Sequence, residues 1–306
     1  MTLPTPYDGS ARLFQIGIKP LDPEQWIDSD DRLAAQLVEK RRVFADHPAE
    51  TFVAEPDTEA SQRELLHLLA EHLPRRFPQL YRREGDHIAI LPTGEKIGLA
   101  DGPPLLTAAR LVAEDLVILR KGQTGWRLVA AALAFPSSWI LAEKFGRPMH
   151  EIHAPVPGFG EGTRPAQLIE RMFDNLRPET PVIRWNWSVY GDDRLYHPDS
   201  SGPDIRRFGE DMANVFLRVE RQTLRRLPES GDIVFTIGIH VDPLTTLEAQ
   251  PEANRIAGAL AEQLLALDAA QLDYKGLTLD RDRLVARLGM IGLAPGPAHP
   301  PAFPRA

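Results

Sequence analysis

The sequence predicts an α+β fold, an antiparallel sheet with helices before and after it in the chain. Three observations lead there. Apolar residues recur at helical spacing between Arg32 and Leu73, the period drops to two from Ile88 onward with turn residues between runs, and helical spacing returns after Glu252.

The Pro-rich first 31 residues, with Trp26 in an acidic context, are expected to wrap the body as an irregular arm. Leu33, Leu37 and Phe44 mark one helix. Leu65, Leu66, Leu69 and Leu73 mark a second, expected to stop at Pro74 and Pro78. Ile88 to Leu91 and Ile97 to Leu99 form a hairpin about Pro92-Thr93-Gly94, and Leu116 to Arg120 pairs with Trp126 to Phe135. Thr163 caps a helix that carries Pro165 in its first turn and runs to Leu176. Ile183 to Tyr190 alternates, with Ile183, Trp185, Trp187 and Val189 on one face and Arg184, Asn186 and Ser188 on the other. Phe216 to Leu227 and Ile233 to Val241 flank Pro228-Glu229-Ser230-Gly231-Asp232 as a third hairpin; a helical reading of Arg218 to Arg226 competes with it, and strand is favoured. A helix from Glu252 to about Leu267 follows, then a shorter one from Asp280 that Gly289 ends. Residues 32–290 are expected to form one domain and residues 291–306 a disordered Pro-rich tail.

Composition narrows the chemistry. The net charge of −8 disfavours a nucleic-acid backbone as partner, and no apolar run approaches the ~20 residues of a membrane span. With no export signal evident at the N-terminus, a cytoplasmic protein is expected. The absence of cysteine excludes thiolate nucleophiles, zinc-thiolate sites and cysteine-held iron-sulfur clusters, so any metal must sit on histidine or carboxylate.

Three constellations carry chemistry. His153, beside Pro155 and Pro157, suits an axial haem ligand or part of a metal site, and its bland alternative is a loop histidine bonded to backbone. His150 is a second ligand if the turn is helical, although Pro155-Val156-Pro157 argues for extended chain. Arg184, Asn186 and Ser188 form either a solvated edge or a polar row aimed into a cavity, where Arg184 could hold a carboxylate. Arg218, Glu220 and Gln222 share a face on a strand, as a surface ladder or as groups that bind substrate and relay protons. Gly158-Phe159-Gly160-Glu161-Gly162 lacks the full dinucleotide fingerprint and is discounted.

Taken together, Glu114-Asp115-Leu116, Phe135-Pro136-Ser137-Ser138-Trp139, Glu143-Lys144, Ile152-His153 with Pro155-Val156-Pro157, Arg184 with Asn186-Trp187, and Arg218 to Leu224 with Arg226-Leu227-Pro228 resemble the haem-dependent oxidative N-demethylases, their haem-binding alpha subunits and relatives. The resemblance covers about Arg32 to Val241 and implies a PAS-like antiparallel sheet enclosing haem b. It implies a monooxygenase-type enzyme that oxidises a small methylated amine with dioxygen and external electrons, releasing formaldehyde. By position it makes His153 the proximal iron ligand, Arg184 and Asn186 lining of the haem pocket, and Arg218 and Glu220 the catalytic row. A separate flavin reductase, with an iron-sulfur centre, is the expected electron source. The alternatives are a haem-binding sensor without turnover and a cofactor-free α+β binding protein.

Overall fold

The computed structural model describes residues 4–199 and 206–293, with the side chains of residues 292 and 293 left out. Its strands are β1 (Lys19–Pro20), β2 (Phe52–Ala54), β3 (Tyr81–Glu84), β4 (His87–Ile90), β5 (Glu95–Gly98), β6 (Asp115–Gly122), β7 (Gly125–Ala132), β8 (Val182–Tyr190), β9 (Phe216–Arg226) and β10 (Ile233–Pro243). Its helices are α1 (Leu33–Asp46), α2 (Pro48–Thr51), α3 (Glu59–Arg76), α4 (Pro104–Ala109), α5 (Leu141–Lys144), α6 (Met149–Ile152), α7 (Arg164–Asn175), α8 (Thr245–Glu248), α9 (Ala253–Leu265), α10 (Ala269–Lys275) and α11 (Arg281–Leu293).

Seven strands form one antiparallel sheet in the order β1-β8-β9-β10-β6-β7-β2, and β3-β4-β5 form a small separate one. The long strands are two sequence-local groups, the hairpin β6-β7 and the meander β8-β9-β10, joined by β10 pairing with β6. Because side chains alternate across a strand, β6 sends Leu116 and Ile118 into a core with α1, α3 and α4, while Val117 and Leu119 face the other way. A further core forms where α9, α10 and α11 cover Trp187 and Val189 of β8 and Leu217 and Val219 of β9.

The three hairpins, the Thr163-capped helix and the strand reading of Arg218 to Arg226 all hold. Two helix ends do not fall where proline and glycine suggest. Pro74 lies inside α3, in its last turn, where it gives up the bond an N–H would make to Ala70 O, and buried Leu73, whose carbonyl accepts from Phe77 N, keeps that turn packed. The last helix continues through Gly289 to Leu293; interior glycine costs about 1 kcal/mol, and Leu288 and Ile291, buried in the core shared with α9, offset it. The expected arm contributes Trp26 and Ile27 to the core and pairs β1 with β8. Most of the expected tail lies outside the described residues.

Buried imidazoles make stability depend on acid. Burial pulls His72 down to about 4, helped by Arg75 nearby, and His240 likewise, with the Arg32 guanidinium donating into its Nδ1. Between the ordinary imidazole value and about 4 the unfolded chain binds protons that the folded chain refuses, so stability falls as pH falls through that window. Urea unfolding should give a lower free energy at pH 5 than at pH 7.5, by on the order of 2 kcal/mol per imidazole. Equal values would contradict this.

Candidate haem-binding cavity

A cavity of about 440 Å³ lies between the sheet and the segment that runs from Ser137 to Phe173, within the range of small-molecule and cofactor sites. Its apolar floor comes from Val117, Leu119, Leu128, Leu224, Phe235 and Ile237. At one end the floor turns polar, because the two polar rows lie side by side: β8 and β9 pair with Arg184 opposite Gln222, Asn186 opposite Glu220 and Ser188 opposite Arg218. Arg184, Asn186, Glu220 and Gln222 all line the cavity.

Glu220 is 8% exposed, and one of its oxygens, Oε2, accepts from Asn186 Nδ2 at 3.3 Å and Gln222 Nε2 at 2.5 Å. No hydrogen bond reaches Oε1 among the described residues. Arg184 donates through Nη2 to Gln15 O at 3.3 Å, while its Nε is buried without a partner among the described residues. An orphaned guanidinium N–H at a cavity wall fits a carboxylate arriving with a ligand.

The roof carries His153. Residues 149–152 are helical, not extended, and His153 caps that turn. Its Nδ1 lies 2.9 Å from Met149 O, its own turn's carbonyl, and must be the protonated nitrogen to donate there. Nε2 therefore keeps its lone pair. Burial holds the imidazole down to about 4, so it is neutral at ordinary pH, which is the form that binds a metal. His150 is not among the lining residues, and His197 and His240 are not either. Among the described residues no group of three or more His, Asp or Glu is suited to hold a metal ion.

Arg218 is placed beside the cavity and not on its wall. At 1% exposure it donates to Phe135 O at 2.9 Å, Pro136 O at 3.1 Å, Arg194 O at 3.1 Å, Leu195 O at 3.0 Å and Ser137 Oγ at 2.8 Å. Asp115 holds the same loop from the other side, accepting from Ala134 N at 2.8 Å and Phe135 N at 2.9 Å. Ser138, which lines the cavity, is thereby kept at φ 60°, a conformation costly for a residue with a Cβ. Lys275 and Tyr274 at the end of α10 also line the cavity, and no sequence motif pointed to them.

The donor set fits a haem. Among the lining residues the cations Lys144, Arg184 and Lys275 outnumber the carboxylates Glu143 and Glu220, which favours an anionic group in the cavity. An apolar slab, a free imidazole nitrogen and an excess of cations form one consistent set.

Replacing Arg218 by Met should cost about 3 kcal/mol in urea unfolding, since four carbonyls lose a buried donor, and Lys should recover only part of it. A loss under about 1 kcal/mol would show that those bonds do not hold the loop.

A family model described as haem-dependent oxidative N-demethylase, alpha subunit-like, matches residues 17–285. That span takes in the whole long-stranded sheet, His153, both polar rows and Lys275, and the chain belongs to this family.

Proposed function

We propose that the chain is the haem-binding catalytic subunit of an oxidative N-demethylase, with His153 as proximal ligand to haem b. The observation that carries this reading is the His153 imidazole, neutral, with Nδ1 spent on its own turn and Nε2 left free at the wall of an apolar cavity. Arg184, with its unpartnered Nε, would hold a propionate, and Asn186 would line the pocket. We read the sheet as PAS-like because its last strand, β10, lies centrally, between the first hairpin and the strands β8 and β9. On this reading the N-terminal arm works as one unit with residues 32–290, since the cavity wall draws on segments from Phe14 to Lys275.

Haem, when bound, supplies oxygen activation. The balance of the reaction is R₂N–CH₃ + O₂ + 2 electrons + 2 protons giving R₂NH, formaldehyde and water. Glu220 Oε1 receives the N–H of the protonated amine, and Asn186 and Gln222 hold the carboxylate still while it does so. Collapse of the carbinolamine moves a proton from oxygen to nitrogen, a transfer that a carboxylate beside both atoms can mediate. Phe173, Phe159 and Phe235 keep water from the apolar end. Arg218 serves this row by holding the roof loop, in place of the direct role its sequence position suggests. The family description names an alpha subunit, which implies a partner; with no cysteine in the chain, we propose a separate flavin reductase with an iron-sulfur centre as electron source.

The protein loaded with haem, reductant and a methylated amine should consume oxygen and release formaldehyde. Glu220→Gln should keep its haem and lose about 100-fold or more in kcat. A protein that stays colourless with added haem would overturn the reading, and a red protein that consumes no oxygen would make it a sensor.

A further inference from the structure

Lys275 is the last residue of α10, and Gly276 after it turns the chain at φ 62°, where a Cβ would also run into the Arg207 guanidinium. The turn brings Nζ, 8% exposed as a residue, to Trp187 O at 2.9 Å, Ser188 Oγ at 3.0 Å and Asn186 Oδ1 at 3.3 Å. An ammonium has three donors and no acceptor, so this contact fixes which end of the Asn186 amide faces which neighbour. Oδ1 must meet the lysine, and Nδ2 is then left to donate to Glu220 Oε2.

We propose that Lys275 is a positioning residue, which acts through Asn186 to hold Glu220 with Oε1 open to the cavity as the acceptor for the substrate's nitrogen. The inference rests on the reading of Glu220 as the amine-binding group. Without the lysine, Asn186 is free to turn its carbonyl toward the carboxylate, where two acceptors repel and Glu220 loses its fixed aim.

The same geometry makes the arrangement sensitive to alkali. Burial brings Lys275 down to about 8; Glu220 on β9 draws it back up, and Arg184 on β8 and Arg207 push it further down. Tyr274 beside it and the Phe14 ring, 5.8 Å from Nζ, carry no charge at neutral pH. Below about pH 8 the ammonium keeps three donors, and above it one donor and the charge are lost.

The test is calorimetric binding of mono-, di- and trimethylamine to the haem-loaded protein between pH 6.5 and 9, with the variants Glu220→Gln, Lys275→Met and Lys275→Arg. Wild-type affinity should weaken with a midpoint near pH 8. Lys275→Met should bind about tenfold more weakly at pH 7 with no midpoint there, its Soret band unchanged. Lys275→Arg, which keeps the charge at every pH used, should bind within about threefold of wild type at pH 7 and also lack the midpoint, so the inference stays open to test if the methionine variant does not fold. Wild type that binds no amine, or Glu220→Gln that binds as well as wild type, overturns the reading of the site and the lysine's role with it. Amine binding that needs Glu220 but is the same in Lys275→Met at each pH overturns the lysine's role alone.

Discussion

The pairing of Asn186 with Glu220 across β8 and β9 decides what the cavity floor is made of. Side chains alternate along each strand, so a slip of one residue in β8 would carry Trp185 and Trp187 into the cavity and send Arg184 and Asn186 toward the C-terminal helices. The register is held from outside the cavity. Trp187 and Val189 are buried under the core of α9, α10 and α11, and Val219 and Leu217 of β9 lie in the same core. Apolar burial on one face thus aligns polar groups on the other. Charged and amide side chains that would be costly to bury one at a time meet as a hydrogen-bonded set.

The roof obeys a different constraint. The loop that carries Ser138 at positive φ and leads to the His153 turn meets neighbouring backbone in isolated bridges, at Ser137 with His197 and at Pro148 with Arg127, and side chains from the sheet hold it as well. Arg218 from β9 and Asp115 from β6 take up its backbone carbonyls and N–H groups, and Lys40, buried with its Nζ 3.9 Å from Asp115, lies behind them. These groups bring the roof to a fixed height over the floor. His153 is oriented more locally, by the carbonyl four residues before it in its own turn. Floor and roof are therefore built separately, and the cavity is the space that remains between them.

Period two was readable because β8 and β9 carry strong contrasts between faces, so both polar rows could be found from residues alone. Their meeting was not readable, since register depends on packing from helices far along the chain. Arg218 shares a face with Glu220 in the sequence pattern, yet its longer side chain ends among backbone carbonyls beyond the cavity wall, a destination set by where the loop at Phe135 falls. The turn at His153 looked extended because of the prolines after it, but those begin two residues later and leave residues 149–152 free to coil. Lys275 had no signal beyond a lysine before a helix-ending glycine, a common C-terminal pattern that carries no chemistry until the fold sets it against Asn186. Family resemblance supplied the haem, and the cavity supplies a place that suits it.

The central claim is that His153 Nε2 takes the haem iron, and titration of haem into His153→Gly tests it most directly, with and without added imidazole. The account predicts that wild type binds one haem with a sharp Soret band, that the glycine variant loses that band, and that free imidazole entering the vacated space restores it. A glycine variant that binds haem with the wild-type spectrum and ignores imidazole would contradict it.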